Sequence, residues 1–131
     1  TYNIDAGFDY DDPRLEPLRD HALDRPGATE DFPFGPEVMV FKVMGKMFGA
    51  VAWEESPLRV SLKCDPDRAV QLRDEHDAIG PPRYFDKRLW NAVTLDGTLD
   101  DALVHELVDH SYDLVVASLT KKLRAELAEL E

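Results

Sequence analysis

The six residues Arg59–Cys64 alternate without a fault, with Val60, Leu62 and Cys64 on one side and Arg59, Ser61 and Lys63 on the other. Successive side chains of a strand point to opposite faces, so this pattern is a β-strand with one face in a core and one face polar. Two β-branched and aromatic runs precede it, Val38–Met44 and Lys46–Trp53, and the Gly45-Lys46 step between them suits a hairpin turn. Strands this close in sequence pair antiparallel, and their shared apolar face needs a second layer to cover it.

Helical segments supply that layer. Asp12 is placed to cap a helix with Pro13 in its first turn, whose regular part starts near Pro17 and buries Leu15, Leu18 and Ala22 before Arg25-Pro26-Gly27 ends it. Thr29–Pro36 reads as a loop anchored by Phe32 and Phe34. Asp65 caps a short helix with Pro66 at its first position and Ala69, Leu72 and His76 at helical spacing. Ile79-Gly80-Pro81-Pro82 interrupts the chain before a further strand, Arg83–Leu95, that turns at Asp96-Gly97. Thr98 and Asp101 then resemble a capping box for a long last helix. That helix has two apolar stripes, Leu103, Leu107, His110 and Leu114 beside Val104, Val108, Tyr112, Val115 and Leu119, so it has a wide buried face. The expected fold is α+β, an antiparallel sheet with helices packed on one face. Residues 1–131 form one domain, with 1–12 an irregular acidic arm and 120–131 a polar helical tail.

A chain of 131 residues buries enough surface to fold without disulfides, and the single cysteine, Cys64, excludes a disulfide framework. No window reaches the roughly 18 consecutive apolar residues of a membrane span. A reducing, cytoplasmic setting is the expectation, with no membrane partner and a monomeric state.

The net charge of −12 opposes general affinity for polyanions, but it is unevenly spread. Residues 1–41 hold ten acids and three bases, 42–88 hold eight and nine, and 89–131 hold nine and three. Within the strand segments the bases are Lys42, Lys46, Arg59, Lys63, Arg83, Lys87 and Arg88 against Asp86 alone, a sum of +6 beside −18 for the remainder. An acidic protein thus keeps a basic sheet. Alternation sets Trp90 on the outward side with Arg88, Ala92 and Thr94, because Val93 and Leu95 belong in the core. Aromatic rings among cations suit stacking and phosphate contact. The competing reading buries Trp90 beneath a loop and leaves the cations to balance an acidic molecule.

Smaller constellations carry less. His110 lies on an apolar stripe and reads as a hydrogen-bonded core residue. Glu106 and His110 are four apart but no third metal ligand has suitable spacing. Cys64 reads as a small core residue, and Asp5, Asp9, Asp11 and Asp12 lack the glycine of a calcium loop. There is no phosphate loop, nucleophile elbow or zinc-finger spacing, so neither a catalytic residue nor a cofactor or small-molecule substrate is assigned.

Longer runs are distinctive. Pro26-Gly27-Ala28-Thr29-Glu30-Asp31-Phe32-Pro33-Phe34-Gly35, Val40-Phe41-Lys42-Val43, Gly45-Lys46-Met47-Phe48, Leu62-Lys63-Cys64-Asp65-Pro66, Lys87-Arg88 before Trp90-Asn91, Leu95-Asp96-Gly97 and His110-Ser111-Tyr112-Asp113-Leu114-Val115-Val116 occur in this order. Together they strongly resemble the MmcQ/YjbR family across residues 13–122. The resemblance implies a small α+β fold like that of the frataxin homologue CyaY and a DNA-binding role through a double-wing motif.

The expected function is a non-enzymatic module that engages DNA with its basic sheet and hairpins. Lys42, Lys46, Arg59, Lys63, Lys87 and Arg88 would meet phosphates, and Trp90 and Asn91 would touch base or sugar. The alternatives are metal handling on an acidic ridge of Asp9, Asp11, Asp12, Glu16, Asp20 and Asp24, by analogy with CyaY, or a module that docks an acidic protein.

Overall fold

Met44 and Gly45 both take positive φ, +49° and +84°, the backbone of a tight hairpin turn whose twist matches that of the strands it joins. It links β2 (Val38–Val43) to β3 (Lys46–Ala52) in the computed structural model of the chain, which describes residues 13–52 and 57–130. β4 (Arg59–Lys63) pairs with β3, and β6 (Trp90–Thr94) pairs with β4. Short edge strands β1 (Ala28–Asp31) and β5 (Ile79–Gly80) complete a six-stranded sheet of order β1-β2-β3-β4-β6-β5, antiparallel throughout.

The four helices of the described residues are α1 (Glu16–Leu23), α2 (Pro66–Glu75), α3 (Asp101–Ser118) and α4 (Lys121–Leu130). Leu18 and Ala22 of α1, Ala69 and Leu72 of α2, and Val104, Leu107, Val108 and Val115 of α3 share one core with Phe41, Phe48, Val51, Val60, Leu62 and Val93 of the sheet. The fold is therefore α+β with the helices on one face, here called the inner face. Between Phe41 and Lys42 the register to β3 slips by a residue. This bulge turns Phe48 into the core, where it meets Phe41 and the edge of Tyr112.

Three local expectations are corrected, and a fourth, the polar helical tail, is kept and given its docking contact. Thr29–Pro36 is not all loop: Ala28–Asp31 pairs with β2, and Glu30 is held by two hydrogen bonds from Arg19 at 2.8 and 2.6 Å, a tertiary contact that no apolar alternation announces. Arg83–Leu95 is strand only from Trp90. Before it, Asp86 accepts the Arg88 N–H and its carbonyl accepts from Leu89, a self-contained turn that replaces ladder bonds. Asp100, not Thr98, caps α3, and the Thr98 hydroxyl bonds Asp96 instead. The tail after Thr120 is a separate helix that docks through buried Leu127. Gly27 makes room for it: φ is +71°, and a Cβ there would sit 2.5 Å from the Leu127 methyl. The Asp12 cap and the ring of Trp53 lie outside the described residues, as do Asp9, Asp11 and Asp12 of the acidic ridge.

Candidate nucleic-acid interface

The run His110-Ser111-Tyr112 lies on α3 against the inner face, and each side chain there makes a bond that holds the fold. His110 Nε2 accepts the Asp65 N–H at the cap of α2 (3.2 Å). Ser111 donates to the Phe48 carbonyl and accepts the Lys63 N–H (2.9 Å), so one hydroxyl clips β3 to β4 beside the bulge. Tyr112 donates to the Pro26 carbonyl. Glu106 is taken up by a two-pronged contact from Arg68, which leaves no Glu106–His110 metal pair. Burial pushes the Cys64 thiol up from its ordinary range, so it stays a protonated core residue.

The outer face is built differently. Its central row runs across four strands as Val40, Ala50, Ser61 and Ala92, with Gly80 at the edge. Small side chains there leave a trough of about 440 Å³ floored by Val38, Ala50, Ala52 and Ser61. Its walls are Phe34 and Glu37, from the loop between β1 and β2, and Arg83, Tyr84 and Phe85, from the segment 81–89 that leaves β5 and returns as β6. Phe34 and Tyr84 are 63% and 76% exposed, while Phe85 stacks on Trp90 with ring centroids 4.6 Å apart. The Arg83 guanidinium lies 5.7 Å from the centre of the Tyr84 ring. The Ser61 hydroxyl has no hydrogen-bond partner among the described residues.

This geometry revises the picture of an open basic sheet. Val40 and Ala92 point outward yet are 0% and 3% exposed, so the middle of the face is partly covered and apolar, and the cations form a rim. Lys42 is bound to Asp31 (3.0 Å), and its hydrogen bond is the main cause that holds the Asp31 carboxyl below the usual range. Arg59 reaches the Pro81 carbonyl (3.4 Å). Lys63 lies opposite Trp90 across the β4–β6 ladder. Lys87 and Arg88 are exposed on the covering segment. The Arg88 guanidinium pairs with Asp86 (3.3 Å), and the Arg88 N–H is the first cause that lowers the Asp86 carboxyl. Trp90 satisfies both sequence readings in part: it points outward and is half covered by Phe85.

Two expected contacts are not on this face. Lys46 pairs with Val43, on the inner side of the hairpin, and extends toward the Ser118 carbonyl at the C-terminal end of α3 (3.5 Å), where a helix dipole favours a cation. Asn91 is 3% exposed, accepts from Arg73 (2.8 Å) and donates to the Ala69 carbonyl (3.3 Å). It is a buried link between β6 and α2. Arg73 also donates to the Lys87 carbonyl, so the same guanidinium anchors the covering segment.

Sequence reasoning passed over Ser61 as a possible contact, along with Tyr84 and Phe85, and read Phe34 as an anchor of its loop. The available signal was the run of small residues at alternate outward positions, Ala50, Ala52, Ser61 and Ala92, opposite an aromatic-rich Pro-Pro segment. Of the acidic ridge, Glu16, Asp20 and Asp24 lie on or beside α1. Among the described residues no three His, Cys, Asp or Glu side chains gather to hold a metal. No described helix is long and apolar enough to cross a membrane.

The YjbR family model matches residues 23–114. The uncharacterised protein YjbR of Escherichia coli K12 is 33% identical over 116 residues, covering 88% of this chain and 98% of its own length. The uncharacterised protein YbdF of Escherichia coli O157:H7 is 32% identical over 101 residues, 77% of this chain and 83% of its own. Among solved structures, the Deinococcus radiodurans protein DR2400, with the domain DUF419, superposes with a TM-score of 0.80 at 39% identity, covering 87% of both chains. A Pseudomonas syringae protein shares the fold with a TM-score of 0.67 at 23% identity, over 76% of this chain and 96% of its own.

Proposed function

The chain belongs to the YjbR family, and we propose that it is a non-enzymatic nucleic-acid-binding module whose contact surface is the outer face of the sheet. The observation that carries this reading is the convergence on that one face of Arg59, Lys63 and Arg83 with the rings of Phe34, Tyr84, Phe85 and Trp90, beside a bordering segment on which Lys87 and Arg88 are exposed. Cations that contact phosphates supply affinity without sequence information, and rings beside them supply stacking surfaces. Phosphate contacts come from the β4–β6 end of the face, where Asp86 is the acid on the covering segment. Asp31 lies at the opposite edge and Glu37 on the lining of the trough, and with the acidic remainder of the chain they limit indiscriminate adsorption.

The reading leaves Lys42, which is paired with Asp31, out of the expected contact set together with Lys46 and Asn91, and adds Arg83. It is tested by titrating labelled oligonucleotide at several salt concentrations. Neutralising Lys63 and Arg88 together should weaken binding and shallow the slope of log K on log salt by roughly 0.7 to 0.9 for each phosphate no longer neutralised. A parent protein that binds neither DNA nor RNA at about 50 mM salt, where the Debye length still exceeds 10 Å, removes the proposal.

A further inference from the structure

We infer that the trough on the outer face captures one unstacked nucleobase, which makes single strands rather than duplexes the favoured ligand; this rests on the nucleic-acid reading above. The chemistry of the walls and floor matches a base more closely than a duplex groove. A base offers two flat π faces, a polar edge and an attached phosphate. The trough offers the exposed rings of Phe34 and Tyr84 for the faces, the Ser61 hydroxyl, without a partner among the described residues, and the Glu37 carboxylate, an acceptor for base N–H groups, for the edge, and Arg83 on the rim for the phosphate. Its floor of Val38, Ala50 and Ala52 is apolar, so a stacked, paired base that keeps its edges hydrogen-bonded to a partner strand gains nothing by entering.

Volume agrees with this. At about 440 Å³ the trough falls within the range of small-ligand sites and admits a base with part of its sugar. Its shape is set by fixed elements: the floor is ladder-bonded sheet, and the wall segment is held by the Phe85–Trp90 stack and by Arg73 on the Lys87 carbonyl. A slot that exists before the ligand arrives loses little entropy on binding. Charge complementarity completes the argument, because Lys63, Lys87 and Arg88 lie on the side of the trough where β6 begins and can follow a strand leaving it.

The same chemistry could be met by a free nucleotide, so the experiment has three probes: a fluorescein-labelled dT12 strand, a blunt 12-base-pair duplex and thymidine 5′-monophosphate. Anisotropy with the parent protein should show the strand bound at least about tenfold more tightly than the duplex at equal salt, and the monophosphate at least about tenfold more weakly than the strand. Tyr84→Ala, at an exposed position, should lower strand affinity about five- to hundredfold, the range of a single base stack, and lower duplex affinity by much less. Ser61→Leu, which fills the floor, should do the same, with circular dichroism confirming that it folds. Equal binding of strand and duplex, or equal weakening of both in the two variants, overturns base capture while the proposed function survives. A monophosphate as tight as the strand overturns the assignment to a polymer. Failure of strand and duplex alike overturns the proposed function itself.

Discussion

The inner and outer faces of one sheet use polar residues to opposite ends. On the inner face Ser111, Asn91, Arg73, His110 and Tyr112 are all joined to backbone or to each other, and Ser111 and Asn91 are buried with partners for donor and acceptor alike. On the outer face Ser61 has no partner among the described residues, and Phe34 and Tyr84 stand exposed above an apolar floor. A buried hydroxyl with both bonds made specifies where strands and helices sit, whereas a hydroxyl left open at the floor of a trough is available to a ligand. Polarity alone therefore does not mark a site: the state of satisfaction does.

The sharpest way to break this contrast is to compare two serines, one on each side of the same strand pair. Ser111→Ala strands the Phe48 carbonyl and the Lys63 N–H in the core and should cost about 2–4 kcal/mol in chemical denaturation, while Ser61→Ala should stay within about 0.5 kcal/mol. Equal costs would erase the distinction. Next in size, Asn91→Leu removes the link between β6 and α2 and should cost about 1–3 kcal/mol. It also frees the Arg73 guanidinium that anchors the covering segment, so Trp fluorescence should change with it. An Asn91 variant of parental stability but weakened nucleic-acid binding would return Asn91 to the interface.

The smallest effect concerns acid. Asp86 has its carboxyl lowered first by the Arg88 N–H and then by the Arg88 guanidinium. A depressed folded value means that the turn is supported in full above the unfolded value of about 4 and loses support as pH falls through the lower folded value. The Phe85–Trp90 stack should therefore loosen only below about pH 4, read by Trp fluorescence, and Asp86→Asn should abolish that step. A transition near pH 6 would point to a histidine instead.

The inner face was largely legible in the sequence because its information is local. The alternation of Val60, Leu62 and Cys64, the Asp65-Pro66 cap and the double stripe of α3 each describe burial within one element. The outer face was legible only in its cations. What closes it, the segment 81–89 folding back over Ala92 and the Phe85–Trp90 stack, depends on residues meeting across a loop whose Pro-Pro start and Asp86 turn look like interrupted strand. Lys46 was counted among the sheet cations without a face; the bulge at Phe48 shifts the parity of β3, so Lys46 comes to lie opposite Val43 on the inner side. Asn91 sits at an inward position, where polar character invites a contact role until Arg73 and Ala69 are seen around it.

The division between a saturated inner face and an available outer face is tested most directly by mapping the amide resonances of the ¹⁵N-labelled protein during titration with a short single-stranded oligonucleotide at about 50 mM salt, where phosphate contacts are still strong. The account predicts shifts at Phe34, Ala50, Ser61, Lys63, Arg83, Tyr84 and Lys87–Trp90, with Leu107, Ser111 and Tyr112 of α3 unmoved. Shifts gathered on α1 and α3 instead, or a spectrum that does not change, would contradict it.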